Sequence, residues 1–165
     1  MRVLALVLII TFILQPISYA QDDLDFSIEQ LYERLGYTDL LTALDQFDET
    51  FNYDISLPSK IPFRADKYLG RVSEQGLSIA LIGEDEERVF RIHILKESVE
   101  VPNMSEQRVL KDGTTVFLFD IEESADPHVS WLYMEKNDVT YSFVLNGYRP
   151  EIRHYKLMGI AESVE

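Results

Sequence analysis

Apolar, β-rich runs separated by short polar turns extend from Leu77 to Leu145, and this pattern limits the fold more than any other feature of the sequence. Such runs, bounded by glycine, asparagine and aspartate, are typical of strands joined as antiparallel hairpins. The Asp112-Gly113 pair favours a two-residue hairpin turn. The predicted hairpins join Leu77–Ile82 to Val89–Leu95, Arg108–Leu110 to Thr115–Ile121, and Val129–Met134 to Val139–Leu145.

Helical patterns lie on the N-terminal side of these hairpins. Ser27 and Gln30 have the spacing of a capping box, and Gly36 suits the left-handed residue that ends a helix, so a short first helix is predicted. Thr38 is the predicted N-cap of a second helix, which would form a helical hairpin with the first. The apolar side of this second helix consists of Leu40, Leu41, Leu44 and Phe47.

Two further elements complete the secondary-structure prediction. Apolar residues at positions 51, 53, 55 and 57 alternate with polar residues, which predicts a half-buried strand. Pro150 suits the first turn of a terminal helix. The apolar side of that helix consists of Leu157, Ile160, Ala161 and Val164.

These elements predict an α+β fold. Its antiparallel β-sheet is built from consecutive hairpins, with the N-terminal helices and the C-terminal amphipathic helix packed on one face. The predicted organisation is a signal peptide over residues 1–20 and a single domain over 21–165. Within the domain we expect a helical segment over 27–47, the sheet over 51–146 and the terminal helix over 150–164.

The first residues have the form of a secretory signal. Arg2 precedes an apolar run from Val3 to Leu14, Pro16 follows, and Ser18-Tyr19-Ala20 places small residues where a signal peptidase cuts. The run is shorter than the roughly 20 apolar residues that span a bilayer, although its retention as an anchor stays an alternative. We therefore expect a secreted or envelope-associated protein without a stable membrane anchor after cleavage.

Charge and cysteine content exclude several kinds of function. The 165-residue chain has 15 basic and 29 acidic residues, a net charge of −14, and this balance argues against nucleic-acid binding. The negative charge favours a basic partner, such as a protein or peptide of the cell envelope. Alternatively, it only keeps the protein soluble. The chain has no cysteine, which excludes disulfides, a thiol nucleophile and thiolate-bound metals.

No catalytic or metal-binding motif stands out. His93, His128 and His154 lack the spacing of a zinc site, and alternation places His93 opposite Ile92 and Ile94, on a side predicted to face solvent. The chain has no nucleophile-elbow sequence, so its strand serines are predicted to be structural. No cofactor is predicted. Calcium candidates, with a solvated hairpin tip as the simpler interpretation, are Glu84, Asp85, Glu86 and Glu87.

Aromatic residues of the last predicted hairpin are the candidates for ligand binding. Same-face positions in a strand differ by two, so Trp131 and Tyr133 share one face of their strand, and Tyr141 and Phe143 share one face of theirs. An uncovered aromatic face would be a platform for a ligand or peptide, whereas burial under helices would make the same residues part of the core, which is the favoured interpretation. The candidates are Trp131, Tyr133, Tyr141 and Phe143.

A family resemblance rests on short motifs between Phe51 and the C-terminus. These are the segment 57–63 (LPSKIPF) before a strand, Trp131 in the penultimate strand, Tyr141 in the last strand and the closing segment 160–163 (IAES). In these motifs the chain resembles an uncharacterised extracytoplasmic domain of Gram-positive spore-forming bacteria. Members of that family occur as stand-alone exported proteins and on anti-sigma factors and sporulation lipoproteins. The resemblance implies an extracytoplasmic location and brings no activity with it.

The sequence as a whole favours an exported, non-catalytic domain that acts by binding or as an accessory protein of the envelope. Two alternatives stay open. One is a small secreted hydrolase, which would need a pocket with converging polar groups. The other is an inhibitor or interaction partner of another exported protein, acting through an acidic loop or a sheet edge.

Overall fold

The computed structural model describes residues 27–51, 53–102, 105–121 and 129–165, so the predicted signal peptide lies outside the described residues. It confirms the α+β class, with one eight-stranded antiparallel sheet and three helices over these ranges. None of these helices has the length and apolar character needed to cross a membrane. In chain order the elements are α1 (Ile28–Arg34), β1 (Thr38–Asp39), α2 (Leu40–Thr50), β2 (Ala65–Ser73), β3 (Gly76–Gly83), β4 (Val89–Leu95), β5 (Glu106–Val109), β6 (Thr115–Ile121), β7 (Val129–Lys136), β8 (Val139–Leu145) and α3 (Pro150–Ala161).

The strand order across the sheet is β1-β2-β3-β4-β8-β7-β6-β5. The connection over residues 96–105 carries the chain from β4, at the centre, to the outer edge at β5. Successive hairpins then return it until β8 pairs with β4. The three predicted hairpins are confirmed. The Asp112-Gly113 turn is one residue longer than predicted, because Leu110 N donates to Thr114 O and Gly113 takes a left-handed φ of 89°.

Helices α2 and α3 cover one side of the sheet, which we call the core face. The strand residues on this side are apolar and buried, as Ile79, Ile92 and Phe143 illustrate. Phe47 of α2 and Leu157 of α3 belong to the same apolar cluster. The opposite side, which we call the second face, carries the residues that alternate with these along each strand.

Helix α1 does not form a hairpin with α2, so that prediction is wrong. The two-residue strand β1 lies between the helices and pairs with β2 at Gly70 and Leu69. Tyr32 of α1 therefore packs on the second face, against Leu69 and Ala80, while α2 packs on the core face. The predicted capping box at Ser27 is present, but Asp39 rather than Thr38 caps α2, through a hydrogen bond from Leu41 N.

The predicted strand over 51–57 is also absent from the described residues, where positions 53–57 are irregular. Tyr53 and Ile55 are half-buried against the core cluster, and Ser56 N donates to the Tyr141 hydroxyl at 3.2 Å. The alternation of apolar residues thus reflects side chains that pack beneath the core face without a ladder partner. Apart from β1, the sheet extends over 65–145 rather than over 51–146.

Gly70 sets the distance between β2 and α2. A Cβ at this position would lie 2.5 Å from the Cβ of Ala43, closer than side chains pack. We expect Gly70→Ala to lower the free energy of unfolding by about 1–3 kcal/mol, because the helix must move away from the sheet. In the matched variant Gly159→Ala the new methyl group meets no atom within 4 Å, and we expect a gain of about 0.5–1 kcal/mol. Urea unfolding of both variants measures the difference, and equal stabilities would contradict it.

Candidate functional site

Three aromatic side chains of β6 and β7 form a cluster on the second face. The ring centroids of Phe119 and Trp131 lie 6.0 Å apart, and those of Phe119 and Tyr133 lie 5.8 Å apart, all nearly parallel. Each of the three side chains is half-buried. Helix α1 packs over β2 to β4, on the other half of this face. We call Phe119, Trp131 and Tyr133 the aromatic cluster.

Positive charge lies on the same face, on β4 and, two strands farther from the cluster, on β2. Arg91 is opposite Val144, which is in turn opposite Trp131, so the arginine and the tryptophan are two strands apart. Arg71 Nη1 donates to Leu35 O at 2.9 Å. Among the described residues of β3 to β8 whose side chains point to this face, the one carboxylate is Glu135. On β3 to β8 this face therefore carries one arginine and one carboxylate, and over β2 Glu29 of α1 pairs with Lys67 at 3.0 Å.

His93 lies on the second face, two residues from Arg91 on β4 and two strands from Arg71. Alternation predicts this face correctly, but the ring is half-buried rather than open to solvent, and His93 Nδ1 and Ser78 Oγ form a hydrogen bond of 3.0 Å. Burial, followed by repulsion from Arg91 and Arg71, lowers the pKa of His93 to about 4. The imidazole is therefore neutral at pH 7 and keeps one ring nitrogen for another partner.

Three buried polar atoms of the second face have no hydrogen-bond partner among the described residues: Arg71 Nε, Trp131 Nε1 and Ser142 Oγ. Burial raises the pKa of the Tyr133 phenol, and the nearby Ser142 hydroxyl offsets part of that rise. Ser142 Oγ nevertheless forms no hydrogen bond of good geometry. A buried polar atom left unpaired costs about 1–3 kcal/mol. Trp131 Nε1 and Ser142 Oγ lie on the neighbouring strands β7 and β8, whereas Arg71 Nε lies on β2, where the guanidinium bonds Leu35 O.

No family model, curated protein or solved structure matches this chain. The family resemblance therefore stays a prediction, and the remaining candidate residues are assessed by geometry alone.

The four aromatic candidates are divided between the two faces of the sheet. Trp131 and Tyr133 lie in the aromatic cluster of the second face. Tyr141 and Phe143 point to the core face, where they are 3% and 0% exposed, and their ring centroids are 6.1 Å apart. The structure thus brings two of the candidates together at the site and places the other two beneath the helices.

The four acidic residues at the β3–β4 tip are exposed, and three of them contact groups of the protein. Glu84 pairs with Arg64 at 3.5 Å, and Asp85 accepts two hydrogen bonds from Arg88, at 2.9 and 2.6 Å. Glu86 accepts a hydrogen bond from the backbone N–H of Ile28, at the start of α1. Over the described ranges no three acidic or histidine side chains converge as a metal-binding group would.

Sequence reasoning missed a polar cluster between α3 and the core face. Arg153, only 1% exposed, donates through Nε to Ser130 Oγ at 2.6 Å and through Nη1 to the carbonyl oxygen of Tyr148. Ser130 donates in turn to the Asp120 carboxylate, and His154 Nε2 lies 3.1 Å from the same carboxylate. Arg153 precedes Leu157 by four residues, so the helical period could have placed it on the buried side of α3.

The order of groups in this cluster differs from that of a catalytic triad. In a triad the histidine lies between the serine and the acid, whereas here Asp120 lies between Ser130 and His154. The Ser130 hydroxyl is wholly buried, so a substrate does not reach it. Partial burial raises the pKa of Asp120, but hydrogen bonds from Ser130, His154 and Arg153 outweigh burial and hold it below its ordinary value. The cluster links α3 to the sheet through hydrogen bonds.

A cavity of about 400 Å³ lies at the opposite end of the core face, near the β7–β8 turn. Lys96 Nζ lies 5.7 Å from the centroid of the Tyr53 ring at its wall, and Asp54 and Asp138 also line it. The Tyr53 hydroxyl is another buried polar atom without a partner among the described residues.

Proposed function

We propose that this chain is an exported, non-catalytic binding domain of the cell envelope or the extracellular space, and that the second face is its recognition surface. One observation carries the proposal: three buried polar atoms without partners, on Arg71, Trp131 and Ser142, lie on the same face as the aromatic cluster. Ligand sites typically combine apolar and aromatic surface with a few polar groups that orient the ligand.

The two alternatives have weaker support. A hydrolase would use a serine, histidine and acid in an order that the Asp120 cluster does not have. An inhibitor acting through an acidic loop would present free carboxylates at the β3–β4 tip. Asp85 and Glu86 instead hold Arg88 and the start of α1. On the second face Arg71 likewise bonds Leu35 O, whereas Trp131 Nε1 and Ser142 Oγ have no hydrogen-bond partner among the described residues.

The acidity of the chain and the charge of this face favour different partners. A net charge of −14 still favours a basic envelope protein or peptide on the remaining surface. On the second face the charges of Arg71 and Arg91 would repel such a partner. The proposed recognition surface is therefore separate from the acidic surface.

Trp131 is the single tryptophan of the chain, so its fluorescence reports directly on the second face. The proposal is tested with the form starting at Gln21 and a neutral planar probe, biphenyl-4-carboxamide. We expect a saturable shift of Trp131 emission, and we expect Tyr133→Ala to weaken binding about tenfold, as loss of a stacked aromatic contact does. The matched control is Tyr155→Ala, because Tyr155 is 81% exposed on α3. Equal affinities of the two variants would contradict the assignment of the face.

A further inference from the structure

The outer edge of the sheet at β5 has no partner strand among the described residues, and we propose that it binds the same edge of a second copy of the chain. The two β5 strands would run antiparallel across a twofold axis and join the two sheets into one. This edge is a different surface from the second face, so the inference goes beyond the proposed function. It rests on the backbone groups of β5, on the order of its charges and on its exposure.

The backbone of β5 presents unpaired hydrogen-bonding groups at the edge of the sheet. Leu110 N donates to Thr114 O at 2.8 Å, which makes these two residues a hydrogen-bonded pair of the β5–β6 hairpin. Bonded and non-bonded pairs alternate along an antiparallel ladder, so Arg108 is also bonded to β6, whereas the N–H and C=O groups of Gln107 and Val109 point outward. Among the described residues these outward groups have no partner. A second strand would satisfy them.

The charges of β5 are self-complementary across a twofold axis at Gln107. With Gln107 opposite the partner's Gln107, both residues belong to the outward-pointing set, as a hydrogen-bonded pair requires. This register places Glu106 opposite the partner's Arg108, and Arg108 opposite the partner's Glu106. Directly opposite residues share a face, so each charge would meet an opposite charge. Within one chain the two side chains already form a forked pair at 2.9 and 3.0 Å, so the dimer would contain a square of four alternating charges.

The exposure of β5 leaves room for the second copy. Glu106 and Gln107 are exposed, Arg108 is half-buried, and the apolar side chain of Val109 is 62% exposed. Helix α3 packs mainly on β7 and β8, so it does not cover this edge. The opposite edge of the described sheet is β1, whose two residues are too few for a comparable ladder. Strand β5 is therefore the edge better suited to pairing.

Sedimentation equilibrium of the form starting at Gln21 tests the inference, at protein concentrations up to about 1 mM. The salt concentration is about 0.15 M, because a screening length of about 8 Å limits the repulsion between two acidic chains. We expect a weak, reversible dimer, because β5 has only four residues. Glu106→Arg and Arg108→Glu each replace two attractive cross-strand pairs by repulsive ones. Each variant should therefore raise the dissociation constant of the dimer about tenfold.

An equimolar mixture of these two variants tests the register of the pairing. In the mixed dimer the two arginines of Glu106→Arg lie opposite the two glutamates of Arg108→Glu, so both cross-strand pairs are attractive again. We expect this heterodimer to form with about the affinity of the parent dimer. The double variant Glu106→Arg/Arg108→Glu exchanges the two charges within one chain, and it should dimerise as the parent does.

The matched controls are Glu49→Arg on α2 and Arg64→Glu just before β2, which change the net charge by the same amounts. Both residues are exposed and lie on the β2 half of the molecule, and we expect both controls to dimerise as the parent does. A parent protein that stays monomeric throughout would show that the short, charged strand only protects the edge, and would overturn the inference. A dimer that withstands both β5 variants, an equal loss in the controls, or single variants that do not associate when mixed would overturn it as well.

Discussion

Replacing Arg153 by methionine is expected to lower the free energy of unfolding by about 3–5 kcal/mol, because it leaves a partly buried carboxylate without its guanidinium. Arg153 is 1% exposed and connects Ser130 of β7, Asp120 of β6 and the Tyr148 carbonyl to α3. Methionine keeps a long side chain, so the change removes the charge and the donors more than the packing. Urea unfolding followed by Trp131 emission measures the loss.

Arg108→Met is the matched control for this variant. Arg108 forms a forked pair with Glu106 at 2.9 and 3.0 Å, but both side chains are largely exposed. An exposed pair contributes about 0–1 kcal/mol, so Arg108→Met should unfold almost as the parent protein does. The double variant Asp120→Asn/Arg153→Met should regain part of the stability, since it removes the unpaired charge. A similar loss in both single arginine variants would contradict the structural role of Arg153.

Acidification from pH 6.5 to pH 4 is expected to lower the free energy of unfolding through His93. The folded protein holds the pKa of His93 at about 4, below the 6.5 of a free histidine, because of burial and the neighbouring arginines. In this window the unfolded chain binds a proton that the folded protein excludes, so stability is present above pH 6.5 and decreases as the pH falls. This difference between the folded and unfolded pKa of His93 lowers the free energy of unfolding by up to about 3 kcal/mol, and most of the loss has occurred by pH 4.

A His93→Asn variant tests the assignment, because asparagine can still bond Ser78 but does not titrate. Its unfolding free energy should change much less between pH 6.5 and pH 4 than that of the parent protein. The pKa of Asp120 in the folded state lies below 3.8. Its contribution to the free energy of unfolding is therefore lost at lower pH, as the pH falls through its folded-state pKa. An unchanged slope in His93→Asn would show that other groups cause the acid sensitivity.

Local pattern was sufficient for most elements of the fold. Alternating apolar residues and turn chemistry predicted six of the strands within a few residues, and the capping box at Ser27 and Pro150 predicted the starts of α1 and α3. These signals act between neighbours in the chain, so they are visible without a structure. The helical hairpin failed because β1 is two residues long, too short for a periodic signal, and its pairing with β2 depends on residues far away in the chain.

The candidate site depended on contacts that no local pattern shows. Alternation alone placed Trp131 with Tyr133 and Tyr141 with Phe143, but it could not tell which pair the helices cover. That depends on β8 pairing with β4 and on α3 packing over the core face. Sequence alone thus determined six of the eight strands, their two-sided character and the acidic, cysteine-free composition. The tertiary structure decided which side became core and which side gathered Arg71, Arg91 and the aromatic cluster, because burial and charge neighbourhoods arise from pairings between distant segments.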